Sequence, residues 1–203
     1  MNDFQQLKQE YANCQRCAVL VKNRTQVVFG SGNEKAQILF IGEAPGAQED
    51  KQGIPFCGSS GQILTQLLTS VGLTREDIFI TNTILCRPPD NRNPLPEEIE
   101  NCRSRLDKLI QIMQPKVIVT LGNFAAKRIL NQTASQTGIN KIRGKIFSLK
   151  INQQEIKVVP VVHPASYLYS GRNPEQWKEM QHDFRIIANL VHSNKAQKDL
   201  TQY

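Results

Sequence analysis

The sequence predicts an α/β fold: a single domain over residues 1–203 built on a central, mainly parallel four-stranded sheet with helices on both faces. Three observations point there. Short aliphatic or β-branched runs alternate along the chain with amphipathic segments, which is the pattern of strand–helix–strand units. The runs are apolar at successive positions rather than every second one, as strands buried on both faces are. Each run ends at Gly, Asn or His. With 39% hydrophobic residues in 203, the chain can bury one sizeable core.

The elements follow in order. QILFIG (37–42), DIFITN (77–82), KVIVTLG (116–122) and KVVPVVH (157–163) read as the four strands. Between the first two, GQILTQLLTSVG puts Ile63, Leu64, Leu67, Leu68 and Val71 on one helical face and stops at Gly72. PEEIENCRSRLDKLIQIM opens on Pro96 followed by Glu97 and Glu98, which suits a helix N-terminus. NFAAKRIL follows the third strand, and SLKINQQEIKVVP offers a further hairpin strand ahead of the fourth. Trp177, Met180, Phe184, Ile187 and Val191 form a stripe at helical spacing, after which a polar, frayed tail is expected from about residue 193. No internal repeat or low-complexity linker interrupts the series.

Composition narrows the function classes. The first ten residues have no basic region followed by an apolar run, and no window approaches eighteen apolar residues, so a secretory signal and a spanning helix are not expected. The reading is a cytoplasmic, membrane-free monomer. In a reducing compartment five cysteines are better metal ligands or buried thiols than disulfides. The C-x-x-C pair Cys14 and Cys17 fits zinc, an iron–sulfur cluster or a redox pair, and spacing alone does not choose among them. A formal charge of +7 points to a polyanionic partner. Arg87, Arg92, Arg103 and Arg105 fall near two further cysteines, and Lys141, Arg143 and Lys145 flank Gly144.

Open parallel sheets bind ligands in the crevice outside the carboxyl ends of their strands. Polar signatures sit at three such ends. In GEAPGAQEDKQGIPF, Gly42, Pro45 and Gly46 force a tight loop that exposes backbone N–H groups and the Glu43 carboxylate; Asn82 closes the second strand, and His163 the fourth. Any one alone reads as a turn, cap or structural residue. Together they define an active-site hypothesis.

The ordered set GEAPGAQED, GIPFCGSSGQIL, TNTILCRPPDNRNP, a following helical Cys and VVHPASYL resembles the family 4 uracil-DNA glycosylases, the iron–sulfur branch of their superfamily, from about Cys14 to about Phe184. The resemblance implies a uracil-DNA glycosylase-like fold that cleaves the N-glycosidic bond of uracil in single- and double-stranded DNA and leaves an abasic site. It implies a [4Fe-4S] cluster on Cys14, Cys17, Cys86 and Cys102, a staple that positions nearby arginines, with redox signalling as the rival role. Cys57 stands where the family more often has an aliphatic residue and is assigned to packing. Phe56 would stack on the flipped base, Asn82 would read its edge, and His163 would hydrogen-bond O2 as uracil leaves. Gly42 and Ala44 line the loop; Ala44 stands where better-known members of the superfamily carry a water-activating Asp. Glu43 is then the remaining acid for water or for the sugar cation, and Glu49 would stand near uracil C5, with a solvated acid as its plain alternative. Arg143, Gly144 and Leu168, or Tyr169 beside it, are assigned to DNA.

Three other readings are weighed. A branch that binds uracil-DNA covalently uses an inserted basic loop with a histidine, whereas CRPPDNRNP is short and histidine-free. A noncatalytic DNA-binding module with a structural cluster, related to phage polymerase-associated domains, would not need Glu43, Phe56, Asn82 and His163 together. A zinc-bearing nucleotide hydrolase would want a GxxxxGK[ST] loop, which is absent from the sequence.

Overall fold

The computed structural model describes residues 2–130, 138–151 and 153–199. Its centre is a six-stranded sheet of β1 (Ser31–Gly32), β2 (Ile38–Gly42), β3 (Ile78–Asn82), β4 (Val117–Leu121), β5 (Phe147–Ile151) and β6 (Gln154–Val161), in the order β1-β3-β2-β4-β6-β5. The four inner strands are parallel and are those read from the sequence. The expected count of four is corrected to six by two antiparallel edge strands. β5 is the hairpin partner of β6, and its alternation of half-buried and exposed residues marks a one-sided edge. β1 spans two residues, too few to carry any apolar period.

Every residue of β2, β3 and β4 is buried, because both faces are covered. One layer contains α1 (Asp3–Ala12), α2 (Ala18–Asn23), α5 (Pro96–Met113) and α6 (Asn123–Leu130), whose apolar residues join Leu39, Ile41 and Ile118 in one core. The other contains α4 (Ser59–Thr69), α8 (Ala165–Tyr169) and α9 (Pro174–Asp199), packed on Ile38, Phe40 and Val119. The two sets of strand residues alternate, as the pleat requires. Short α3 (Ala47–Gln52) and α7 (Gly138–Ile142) sit in the connections.

Local chemistry accounts for the boundaries that matter. Pro96 takes the first helical position of α5, and the Glu98 carboxylate accepts from the Leu95 N–H at 2.8 Å, so two sequence signals fix that N-terminus. α9 extends to Asp199, so the tail expected to fray after His192 is helical over that stretch. No helix among the described residues is long and apolar enough to cross a membrane.

Phe184 of α9 is 1% exposed and lies 6.1 Å from Phe40 between ring centroids, which pins this helix to the sheet. Phe184→Ala is expected to lower unfolding stability by about 3–5 kcal/mol, read as a drop in urea midpoint at unchanged slope.

Candidate active site

β2 and β3 run side by side with Gly42 opposite Asn82, and β6 delivers the chain two residues short of His163. Their carboxyl ends open into a cavity of about 500 Å³ lined by Glu43, Glu49, Phe56, Asn82, His163 and Tyr169, with Ala44 also in its wall. The three strand-end signatures of the sequence therefore meet in one place. A separate cavity of about 710 Å³, which shares Phe56 in its wall, is bounded by Ile54, Cys57 and Arg75 and is lined by none of Glu43, Asn82 and His163.

The contact at Gly42 shapes the floor. A Cβ there would fall 2.3 Å from Asn82 Oδ1 and 2.7 Å from the Phe56 ring, so only glycine lets both approach the strand end. Phe56 is 5% exposed and its backbone is held at φ 53°, a conformation that costs a bulky residue about 1–3 kcal/mol. What holds it is Arg75, whose Nη2 donates to the carbonyls of Phe56 at 2.8 Å and Gly61 at 3.0 Å. Gly61 is equally constrained, since a Cβ would lie 1.7 Å from the Phe56 oxygen. The phenyl ring then faces the His163 imidazole at 5.5 Å.

Asn82 is 1% exposed, and its Oδ1 has no hydrogen-bond partner among the described residues. An unmet acceptor at that depth is costly, and Asn82 lines the cavity from which a partner would reach it. His163 Nδ1 accepts from the Ala165 N–H at 3.2 Å, which leaves the proton on Nε2. Although the ring touches the cavity, protein surrounds it elsewhere, and desolvation pushes its pKa down to about 4 against a weaker opposite pull from Glu49. The residue is a neutral donor at pH 7.

The two carboxylates differ. Glu49 is buried and its Oε1 accepts from the Gly58 N–H at 2.9 Å, which ties α3 to the loop carrying Phe56 and replaces the solvated acid of the alternative reading. Glu43 is half-buried, and burial raises its pKa. No described group donates to its side chain.

The four cysteines converge from separate elements: Cys14 between α1 and α2, Cys17 at the N-terminus of α2, Cys86 after β3, and Cys102 on α5. Cys17 feels the charge of Cys102 and Cys14, and Cys86 that of Cys102 and Cys14, so the thiols are mutual neighbours. Burial pushes Cys86 up to about 11 as a free thiol. Two sulfurs receive hydrogen bonds, Cys86 Sγ from Arg24 Nη1 at 2.9 Å and Cys17 Sγ from Asn101 Nδ2 at 3.5 Å. Among the described residues no three His, Cys, Asp or Glu side chains are grouped tightly enough for a single metal ion. Cys57 is half-buried and remote from this cage, in the wall of the second cavity.

The basic residues singled out from sequence are mostly tied down. Arg143 pairs with Glu179 at 2.6 Å and Asp183 at 2.9 Å, and a phosphate contact would have to compete with both. Burial pushes Asp183 up to about 6 even against Arg143. Gly144 donates its N–H to Pro160 at 2.9 Å and leaves room for Asp183. Arg92 pairs with Glu98, Arg103 with Glu100, and Arg87 donates to Asn91. Leu168 packs inward on the second core, whereas neighbouring Tyr169 is 88% exposed at the cavity lip. Sequence reasoning missed Arg24, Arg75 and Asn101. Their roles lie in long-range contacts that no local spacing encodes.

The sheet order and the cavity of about 500 Å³ at its strand ends define an α/β protein whose candidate site lies at the carboxyl edge of a parallel sheet, with four cysteines drawn together from separate elements. Residues 29–185 match the model of the uracil DNA glycosylase superfamily. The chain is similar to a type-4 uracil-DNA glycosylase of Archaeoglobus fulgidus, 42% identical with all of both chains covered. It is also similar to the type-4 enzyme of Sulfurisphaera tokodaii, 43% identical over 94% of this chain and 86% of the relative. A type-5 uracil-DNA glycosylase of Pyrobaculum aerophilum is 29% identical over 75% of this chain and 78% of the relative. The chain belongs to the type-4 uracil-DNA glycosylases of that superfamily.

A depressed His163 pKa has a defined cost in acid. Between pH 6.5 and pH 4 the unfolded histidine binds a proton that the folded one refuses, so stability falls as pH falls, by at most about 3 kcal/mol. The difference in unfolding free energy between the parent and His163→Gln should shrink or reverse across that window. A constant difference would place the acid lability elsewhere.

Proposed function

We propose that this protein acts in DNA repair by hydrolysing the N-glycosidic bond of uracil in DNA, with Asn82 reading the base, Phe56 holding it and His163 supporting its departure. The observation that carries the reading is the desolvated Asn82 amide with an unpartnered oxygen, beside an aromatic ring and a neutral imidazole donor. Uracil presents an N3–H donor next to an O4 acceptor, which a fixed amide matches atom for atom. A base inside duplex DNA cannot reach this cavity, so it must be flipped out, at a cost of a few kcal/mol. Stacking on Phe56 offsets about 1–3 kcal/mol of that. The 88% exposure of Tyr169, against the inward packing of Leu168, supports Tyr169 as the side chain that would fill the gap left in the stack.

Bond cleavage builds negative charge on the base and positive charge on the sugar. Nε2–H of His163 is a preorganised donor for the developing charge on uracil O2. Being neutral, the ring donates without protonating the base. On the sugar side Glu43 offers a carboxylate to the cation and an acceptor to the attacking water. Glu49, held by Gly58, is rigid enough to present a fixed wall near C5, where the extra methyl of thymine would have to fit.

Cys14, Cys17, Cys86 and Cys102 would hold a [4Fe-4S] cluster. The donor set suits it: four thiols from separate elements, two of them already receiving hydrogen bonds that favour thiolate. Bound there, the cluster would supply a covalent staple between the N-terminal segment, the chain beyond β3, and α5.

Incubation with uracil-containing single- and double-stranded oligonucleotides should yield abasic sites, and no release from either would sink the assignment. Asn82→Asp keeps an acceptor but loses the donor to O4, and should lower uracil excision by about ten- to a hundredfold or more. If Asn82 were only a strand-end cap, Asp would serve and activity would be kept. Protein purified without oxygen should contain about four irons per chain. Cys57→Ser should leave that content unchanged, and stoichiometric zinc in place of iron would overturn the cluster.

A further inference from the structure

The cavity of about 710 Å³ meets the base cavity at Phe56, which belongs to both walls. Its size suits a nucleotide, since small-ligand pockets run from about 300 to 1,000 Å³. The wall is mixed. Phe56 and the 47% exposed Ile54 are apolar, Gln62 and Thr65 add polar groups from successive turns of α4, and Arg75 adds a cation. Arg75 Nη2 is committed to the Phe56 and Gly61 carbonyls and Nε to the Thr65 hydroxyl at 3.1 Å, whereas Nη1 has no hydrogen-bond partner among the described residues. No carboxylate of those residues pairs with the guanidinium, including Glu76 in the same wall.

We propose that this second cavity is a subsite for a neighbouring nucleotide of the DNA strand that carries the uracil: Arg75 Nη1 would take its phosphate, Ile54 its apolar face and Gln62 a base edge. The inference rests on the glycosylase reading above. Two observations choose this occupant. Consecutive nucleotides are joined by a single phosphate, and two cavities that meet at one side chain can be served by one strand. A bare anion would gain little in a wall where Glu76 offsets Arg75, whereas a nucleotide adds apolar contact with Ile54 and Phe56 to a charge-assisted hydrogen bond. Arg75 would then touch the strand with one nitrogen while two others hold the Phe56 loop.

Two measurements on the full-length protein test this. Half-buried Cys57 lies in the same wall and serves as a reporter. Its alkylation, located by peptide mass, should slow about tenfold with a product oligonucleotide carrying one abasic site at about ten times its Kd. Saturating free uracil, which fills the base cavity alone, should leave the rate close to that of the free protein. Equal protection by uracil, or none by the oligonucleotide, overturns the proposal. The second measurement is excision from short oligonucleotides lengthened one nucleotide at a time on either side of the uracil. Lengthening on one side should raise kcat/KM about tenfold in the parent, as remote binding energy does. Gln62→Glu and Ile54→Asp place a carboxylate in the wall, and each should lose that gain while keeping the parent rate on the shortest substrate. An unaltered gain, or an equal loss at every length, would reject the subsite. No excision of any substrate by the parent removes the glycosylase reading together with this inference, whereas excision with indifferent variants removes the inference alone.

Discussion

The site depends on a bare Cα. At Gly42 the end of β2 passes under both the Asn82 amide and the Phe56 ring, and any side chain there would occupy the 2.3 Å and 2.7 Å gaps that separate them from the Cβ position. Because β2 and β3 are in parallel register with Gly42 opposite Asn82, the amide has no freedom to retreat. Phe56 has little either. Its positive φ is a strain, and a strained residue persists only where its surroundings over-determine it. Arg75 supplies that from below through two carbonyls, Gly61 by close backbone approach, and Glu49 by fixing Gly58 two residues on. The Phe56 ring is thereby fixed by its surroundings at the cavity wall.

Much of this frame was legible in the sequence, for physical reasons. Inner parallel strands are apolar throughout, so β2, β3 and β4 announce themselves, and Pro96 with Glu98 marks the start of α5 to the residue. Of the edge strands, β1 escaped because two residues have no period, whereas β5, which buries only one side, was legible as a hairpin strand ahead of the fourth. Site residues at strand ends were readable because glycine, asparagine and histidine interrupt apolar runs there. Arg75, Arg24 and Asn101 were not, since each acts on a backbone or sulfur atom distant in sequence. Arg143 shows how pairing also escapes the sequence. In sequence it is one of three basic residues around a glycine, and in the fold two acids from α9 face it.

That pairing bears on how the protein meets DNA without altering its total charge. Each internal ion pair consumes one cation and one anion, so the +7 excess survives whatever pairs form. What changes is where the excess is felt. Arginines locked to Glu98, Glu100, Asp107 and Asp183 serve the fold, and long-range attraction is left to the remaining exposed cations, largely lysines, as a diffuse field screened by salt. Such a field brings DNA to the surface without selecting a base.

Selection is then left to the cavity, where the charges have the other sign. Glu43 and Glu49 line a pocket whose base-side donor, His163, is neutral. Two acids beside an imidazolium would have cancelled part of their field; beside a neutral ring they do not. In the reaction proposed above, the arrangement would favour a positive sugar on one side, and on the other a base whose negative charge is met by a single directed N–H. Protonating His163 would strengthen the donor but weaken that separation, and desolvation prevents it at any pH well above about 4. The same burial that costs stability in acid therefore keeps His163 in one protonation state over the whole neutral range, so that in the proposed reaction its donor would be in place before the substrate arrives.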